Sequence, residues 1–137
     1  MKTTELKFQQ QLIDDIKKSH RESYVIKVNH RFLAGIPDLL IKHPHYPVMF
    51  VETKLGVVGK SGKVKINTTG IQRSTMDRIG RSGITVAVWT LVQGDNEFIL
   101  QSSWSSTEVE VHDRIVVSRI NRKWPVDRLL KWPVGEC

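Results

Sequence analysis

One cysteine, Cys137 at the last position, is all the thiol the sequence carries. A disulfide within the chain and a zinc site built from cysteines are excluded by that count. Long apolar runs are missing as well, and nothing approaches the roughly 20 residues needed to span a bilayer. Met1-Lys2-Thr3-Thr4-Glu5 leads into polar, amphipathic sequence without the apolar stretch of a secretory signal. The expectation is a cytoplasmic protein, or one of the host cytoplasm if phage-encoded, with no membrane partner. Acidic charge is also in short supply: 14 Asp and Glu stand against 21 Lys and Arg, for a net charge of +7. Such an excess favours an anionic partner, nucleic acid first and an acidic membrane surface second. The plain alternative is a soluble protein that is merely basic.

What is present is ordinary for a folded chain. Hydrophobic residues at 39% and charged residues at 26% argue against disorder, and 137 residues are enough for one domain with its own core. Thr4 to Ser19 has Leu6, Phe8, Leu12, Ile13 and Ile16 at helical spacing, with Thr3 or Thr4 as cap and Lys17 and Lys18 at the far end. Tyr24 to Asn29 alternates and predicts a strand, followed by a loop over His30 to Gly35. Strands are expected over Pro37 to His43 and Val48 to Leu55, joined by a Pro44-His45-Tyr46-Pro47 turn. The Gly- and Lys-rich segment from Gly56 to Lys65 reads as an exposed, mobile loop.

From Gly70 to Ser82 a helix fits, with Ile71, Met76 and Ile79 towards the core and Gly83 as its stop. Ile84 to Leu91 is a nearly continuous apolar run, as in a buried strand, and Glu97 to Gln101 predicts another. Glu108 to Ile120 has room for one or two more, and the tail repeats Lys123-Trp124-Pro125-Val126 as Lys131-Trp132-Pro133-Val134. No boundary is visible. A single domain over 1–137 is expected, with a core of about 4–101 and a C-terminal extension of about 102–137. The order helix, three strands, helix, strand makes the class α/β, around a mixed sheet.

Three polar residues interrupt the apolar strand pair: Asp38, Glu52 and Lys54. Glu52 and Lys54 are two apart, so their side chains leave one face of their strand. A hairpin turning at His45 pairs Lys42 with Val48, Leu40 with Phe50 and Asp38 with Glu52. Opposed Cβ atoms in such a pair lie about 4.5–5.5 Å apart, and two carboxylates at that separation repel unless a cation lies between them. Hard oxygen ligands of this kind suit Mg²⁺ or Mn²⁺. Lys54 beside the ion is placed to orient or deprotonate a water and to offset charge on a phosphoryl group. A further acid from the first helix would be Glu5, with Asp14 and Asp15 behind it. The competing explanation is a solvated, salt-bridged strand face, which fits poorly with acids ending the runs Leu39-Leu40-Ile41 and Val48-Met49-Phe50-Val51.

Gly35-Ile36-Pro37-Asp38, then Glu52-Thr53-Lys54, then Gln72 opening a helix that closes with Gly80-Arg81-Ser82-Gly83, resembles the PD-(D/E)XK nucleases. Within them it is similar to the VRR-NUC group, which includes small standalone forms found in phages. The likeness spans Glu5 to Trp89. It implies a restriction-endonuclease-like fold, an αβββαβ core with its sheet flanked by helices. It also implies Mg²⁺, replaceable by Mn²⁺, held by Asp38, Glu52 and the backbone carbonyl of Thr53. Glu5 matches the acid of the family's first helix, and Gln72 the glutamine that supports the catalytic lysine or the water. DNA, in branched or Holliday-junction form, is the implied substrate, and a homodimer the implied assembly. The Leu55-Gly56 step into a Gly- and Lys-rich insert departs from the group's usual hydrophobic-Lys ending.

Other motifs carry less. Gly59-Lys60-Ser61 lacks the P-loop glycine, since position 54 is Lys54, and no helix follows, so no nucleotide cofactor is expected. Lys60, Lys63 and Lys65 on the insert, with Arg73, Arg78 and Arg81 on the second helix, are candidate phosphate contacts, the alternative being a solvated basic surface. His43 and His45 read as isolated surface histidines, and His30 as a loop hydrogen-bonding residue. Trp124 and Trp132 could stack on bases, although packing of the tail or a dimer contact explains such residues more often. A metal-dependent DNA endonuclease is therefore expected, against the rivals of a non-catalytic nucleic-acid-binding module and a nucleotide-using ATPase.

Overall fold

The computed structural model describes residues 4–28, 35–92, 98–102, 108–110, 116–118, 127 and 129–130. The segments holding His30, Trp124, Trp132 and Cys137 lie outside them. Within the described residues the chain runs α1 (Glu5–Ser19), β1 (Tyr24–Lys27), β2 (Leu39–Lys42), β3 (Met49–Gly56), β4 (Lys63–Lys65), α2 (Gly70–Arg81), β5 (Thr85–Val92), β6 (Phe98–Ser102), β7 (Glu108–Glu110) and β8 (Val116–Ser118). The αβββαβ order is present once β4 is set aside as an insertion. The fold class is α/β, around a mixed sheet.

Thr4 caps α1 by accepting the Lys7 N–H, and Glu5 meets the positive end of the helix dipole. The buried stripe is Phe8, Gln9, Leu12, Ile13 and Ile16. Leu6, though one of the helically spaced apolar residues, falls outside that stripe and is 65% exposed. Thr69 caps α2 through a capping box, its hydroxyl accepting from Gln72 N–H while Gln72 Oε1 accepts from Thr69 N–H. Gly83 then takes φ 95° just past the helix end. Ile71 is a correction: it is 60% exposed, and Met76 is the residue of α2 that is buried.

Strand order is β1-β2-β3-β5-β6-β8, with β3 and β5 parallel and every other neighbouring pair antiparallel. The parallel pair needs a crossover, which α2 supplies. Packed on one face of the sheet are α1 and a core of Leu12, Ile41, Val51, Trp89 and their neighbours. Packed on the other are Met76 of α2, Val86, Val88 and Leu100. β8 extends the sheet beyond β6, and Leu129 and Leu130 are buried in the α1-side core.

The segment after Gly56 is exposed at residues 57–61, as its glycines and lysines lead one to expect, but it is also tied into strand structure. Val58 bridges Val64, β4 pairs with β7, and Val64 and Ile66 are buried against the α2-side core. Two isolated β-branched residues among lysines were enough to anchor it. The histidines differ from expectation as well. His20 Nδ1 and His43 Nε2 are 3.1 Å apart, His43 Nδ1 accepts the His45 N–H, and His20 Nε2 lies 2.9 Å from Asp127 Oδ1.

These contacts settle the tautomers. His43 Nδ1 accepts a backbone N–H, so its proton is on Nε2 and is donated to His20 Nδ1, and His20 then donates from Nε2 to Asp127. Burial, followed by the His20 and His45 charges, pushes the His43 pKa below its usual value, while Asp127 and Glu22 oppose the shift. The unfolded chain therefore takes up a proton below about pH 6.5 that native His43 resists. Stability from this source is complete above that pH and lost below it. Urea unfolding of wild type and of His43→Gln at pH 7.5 and pH 5.5 should show wild type losing more of its midpoint on acidification; equal losses would refute the assignment.

Candidate active site

β3 alternates its side chains, and its register with β5 fixes which face each one takes. Glu52 stands beside Val88 and Lys54 beside Thr90 on the α2 side, while Thr53 stands beside Trp89 on the α1 side. The β2–β3 pairing is the one expected, Leu40 opposite Phe50, and its last rung is Leu39 opposite Val51. One residue further along lies Asp38, whose carboxylate takes over where the ladder ends. Asp38 Oδ2 accepts both the Thr53 N–H, at 2.9 Å, and the Thr53 hydroxyl, at 2.8 Å. The chain before Asp38 is pressed onto α2: a Cβ on Gly35, at φ 83°, would lie 2.7 Å from the Ile71 carbonyl oxygen. Only glycine satisfies both the backbone angle and the contact.

Glu52 is 2% exposed and hydrogen-bonded to Asp38. Its second oxygen, Oε2, has no hydrogen-bond partner among the described residues. Burial, then the bond to Asp38 and the Asp38 charge, push the Glu52 pKa up to about 9. Lys54 works against the shift and Glu5 adds to it. Without a cation the two acids hold a proton between them at neutral pH, as adjacent carboxyls do. An unpartnered buried carboxyl oxygen costs about 1–3 kcal/mol, a cost a divalent cation would remove.

Lys54 is half-buried, and its Nζ reaches Gln72 Oε1 at 3.4 Å, a long contact. The capping bond from Thr69 N–H fixes that same Oε1. Glu5 is exposed on the first turn of α1, and it is Glu5, rather than Asp14 or Asp15, whose charge reaches Glu52. Asp14 instead accepts from Gln10 Nε2 at 3.0 Å. No group of three or more His, Cys, Asp or Glu side chains among the described residues has metal-holding geometry. The carboxylate pair is thus the oxygen-rich centre, and Mg²⁺ commonly takes only one or two carboxylates, completing its shell with water and phosphate.

The basic residues divide. Arg73 is committed to the fold, donating to Thr68 O at 2.6 Å and Thr68 Oγ1 at 3.1 Å. Arg81 pairs with Asp77 at 3.0 Å, one helical turn away. Lys60 and Arg78 are exposed, and Lys63 and Lys65 are exposed on β4 with Glu110 and Glu108 opposite them in register. Sequence reasoning missed Gln9, 5% exposed, whose Nε2 donates to Thr53 Oγ1 at 2.7 Å. The signal was available: Gln9 is a polar residue inside the apolar stripe of α1, one turn after Glu5.

No protein-family model matches the chain, and no curated protein matches it. Among solved structures it is similar to Hjc, a Holliday junction resolvase from the archaeal hyperthermophile Archaeoglobus fulgidus, at 12% identity and TM-score 0.49 over 87% of this chain and 84% of that one. It is also similar to a VRR-NUC domain, at 21% identity and TM-score 0.41 over 62% of this chain and 83% of that one.

The raised pKa of Glu52 has a definite sign in stability. Between pH 4.5 and about 9 the native carboxyl keeps a proton that the unfolded chain gives up, so its contribution is present at low pH and fades as pH rises. In EDTA, Glu52→Gln should unfold at higher urea than wild type at pH 8, and the gap should narrow towards pH 5. A gap independent of pH would contradict the buried, protonated carboxyl.

Proposed function

We propose that the chain is a divalent-metal-dependent DNA endonuclease, acting in the cytoplasm and hydrolysing phosphodiester bonds in branched or junction DNA. The observation that carries this is the buried Glu52 carboxyl against Asp38, with one oxygen unpartnered and Lys54 alongside. A purely structural strand end gains nothing from two adjacent acids that repel phosphate and destabilise the fold. Asp38, Glu52 and the Thr53 backbone carbonyl would hold Mg²⁺ or Mn²⁺, with Glu5 able to add a carboxylate. Such an ion, when bound, supplies Lewis acidity to a phosphoryl oxygen and lowers the pKa of a coordinated water.

The chain's own residues do the rest. The Lys54 ammonium offsets charge that builds on the phosphoryl oxygens and orients the attacking water. Gln72, held by the α2 cap, limits where that ammonium can go. Lys60, Lys63, Lys65 and Arg78 offer the backbone phosphates positive charge without reading bases. Arg73 is hydrogen-bonded to Thr68 and adds positive field, while Arg81, in an exposed ion pair with Asp77, can still turn to a phosphate. Junction DNA has two strands to cut, for which a homodimer supplies two sites.

Cleavage of supercoiled plasmid and of a four-way junction, in Mg²⁺, Mn²⁺ and EDTA, tests the proposal. Wild type should cut in either ion and not in EDTA. Glu52→Ala and Asp38→Ala should lose cutting while still binding DNA. Lys54→Ala should slow single-turnover cleavage by about 10²–10³-fold, with binding changed far less. Robust cutting by Glu52→Ala rejects the site, and DNA binding without cutting by wild type leaves a binding module.

A further inference from the structure

The Thr53 side chain is fully buried in a site whose chemistry needs only its backbone, and the hydroxyl lies between two partners. It has one proton, and an ionised Asp38 can only accept, so that proton goes to Asp38 Oδ2. A lone pair then remains for the Gln9 amide, which must present Nε2 rather than Oε1. The chain Gln9 to Thr53 to Asp38 therefore runs in one direction. It begins on α1, passes through β3 and ends on the carboxylate of Asp38, the residue just before β2.

We propose that Thr53, through its hydroxyl, and Gln9, through its amide, are positioning residues that aim the Asp38 carboxylate and thereby set the affinity for the cation. The inference rests on the nuclease reading above and extends it to two side chains, the Thr53 hydroxyl and the Gln9 amide, that do not themselves hold the ion. The carboxylate torsion of an aspartate is broad and roughly twofold. The Thr53 N–H alone grips Oδ2 from one direction. Adding the hydroxyl grips the same oxygen from a second, which fixes where Oδ1 points. Gln9 in turn removes the freedom of the hydroxyl rotor. Partners behind a metal ligand commonly set affinity by 10- to 100-fold without touching the ion.

The fold also has an interest in these bonds, so stability and positioning must be separated. Thr53→Val keeps the shape and loses the hydroxyl, stranding the Gln9 donor. Thr53→Ser keeps the hydroxyl. Gln9→Leu removes the far end of the chain. The double variant Gln9→Leu/Thr53→Val removes both partners and strands neither, so its melting temperature in EDTA should recover most of what Thr53→Val loses.

Mn²⁺ binding to the metal-free protein, measured by electron paramagnetic resonance, should weaken about tenfold in Thr53→Val and stay weakened in the double variant. Thr53→Ser should bind within about threefold of wild type, and Gln9→Leu should fall between. The Mn²⁺ concentration for half-maximal cutting should move in parallel, with the saturated rate changing less. Affinity that recovers together with stability in the double variant, or that is equal in Val and Ser, overturns the positioning role while the nuclease reading stands. Wild type that neither binds Mn²⁺ nor cuts DNA overturns both.

Discussion

The parallel ladder between β3 and β5 is the constraint from which the rest of the molecule follows. Eight rungs, from Met49 opposite Thr85 to Gly56 opposite Val92, tie together two strands that run the same way. Parallel strands cannot be joined by a tight turn, so the chain between them has to climb over the sheet, and α2 is the result. α1 covers the opposite face. Because the strand sides are then assigned, Glu52 and Lys54 have no choice but to share the α2 side, and Thr53 the α1 side. The chemistry of the site is a by-product of strand parity at the centre of the sheet.

The electrostatics of the Asp38–Glu52 pair are strained. A carboxyl 2% exposed, with another acid as its neighbour and one oxygen without a partner among the described residues, is a group that water cannot relieve. Lys54 offsets part of this, yet the net push on Glu52 is strongly towards the protonated form. A site of this kind is costly when empty and rewarding when filled by positive charge. The same features that weaken the apo fold are the ones that would favour a small hard cation.

Much of this was legible in the sequence, for identifiable reasons. Strand alternation and the length of the Pro44-to-Pro47 turn gave the hairpin register, and with it the approach of Asp38 to Glu52. Gln72 was reached through the family resemblance, and its part in the capping box of α2 emerged only with the structure. What was missed depended on contacts between elements far apart in the chain. Gln9 meets Thr53 across 44 residues, and His20 meets His43 across 23, distances at which no local pattern constrains pairing. Ile71 was assigned to the core because an apolar residue at the edge of a helical stripe cannot be told from one inside it. The segment after Gly56 is exposed as its composition suggested, but composition hid the strand pairing of β4 and the burial of Val64 and Ile66.

Gly35 lies against the backbone of α2, and this ties together two parts of the site that the chain itself keeps 34 residues apart. Asp38 follows three residues after that contact, and Gln72 lies one residue beyond Ile71, whose carbonyl Gly35 touches. The segment holding the acid and the helix holding the amide are therefore packed directly against each other. A side chain at position 35 would have to push that helix away, so a single glycine sets how closely the Asp38 segment and the Gln72 helix approach one another.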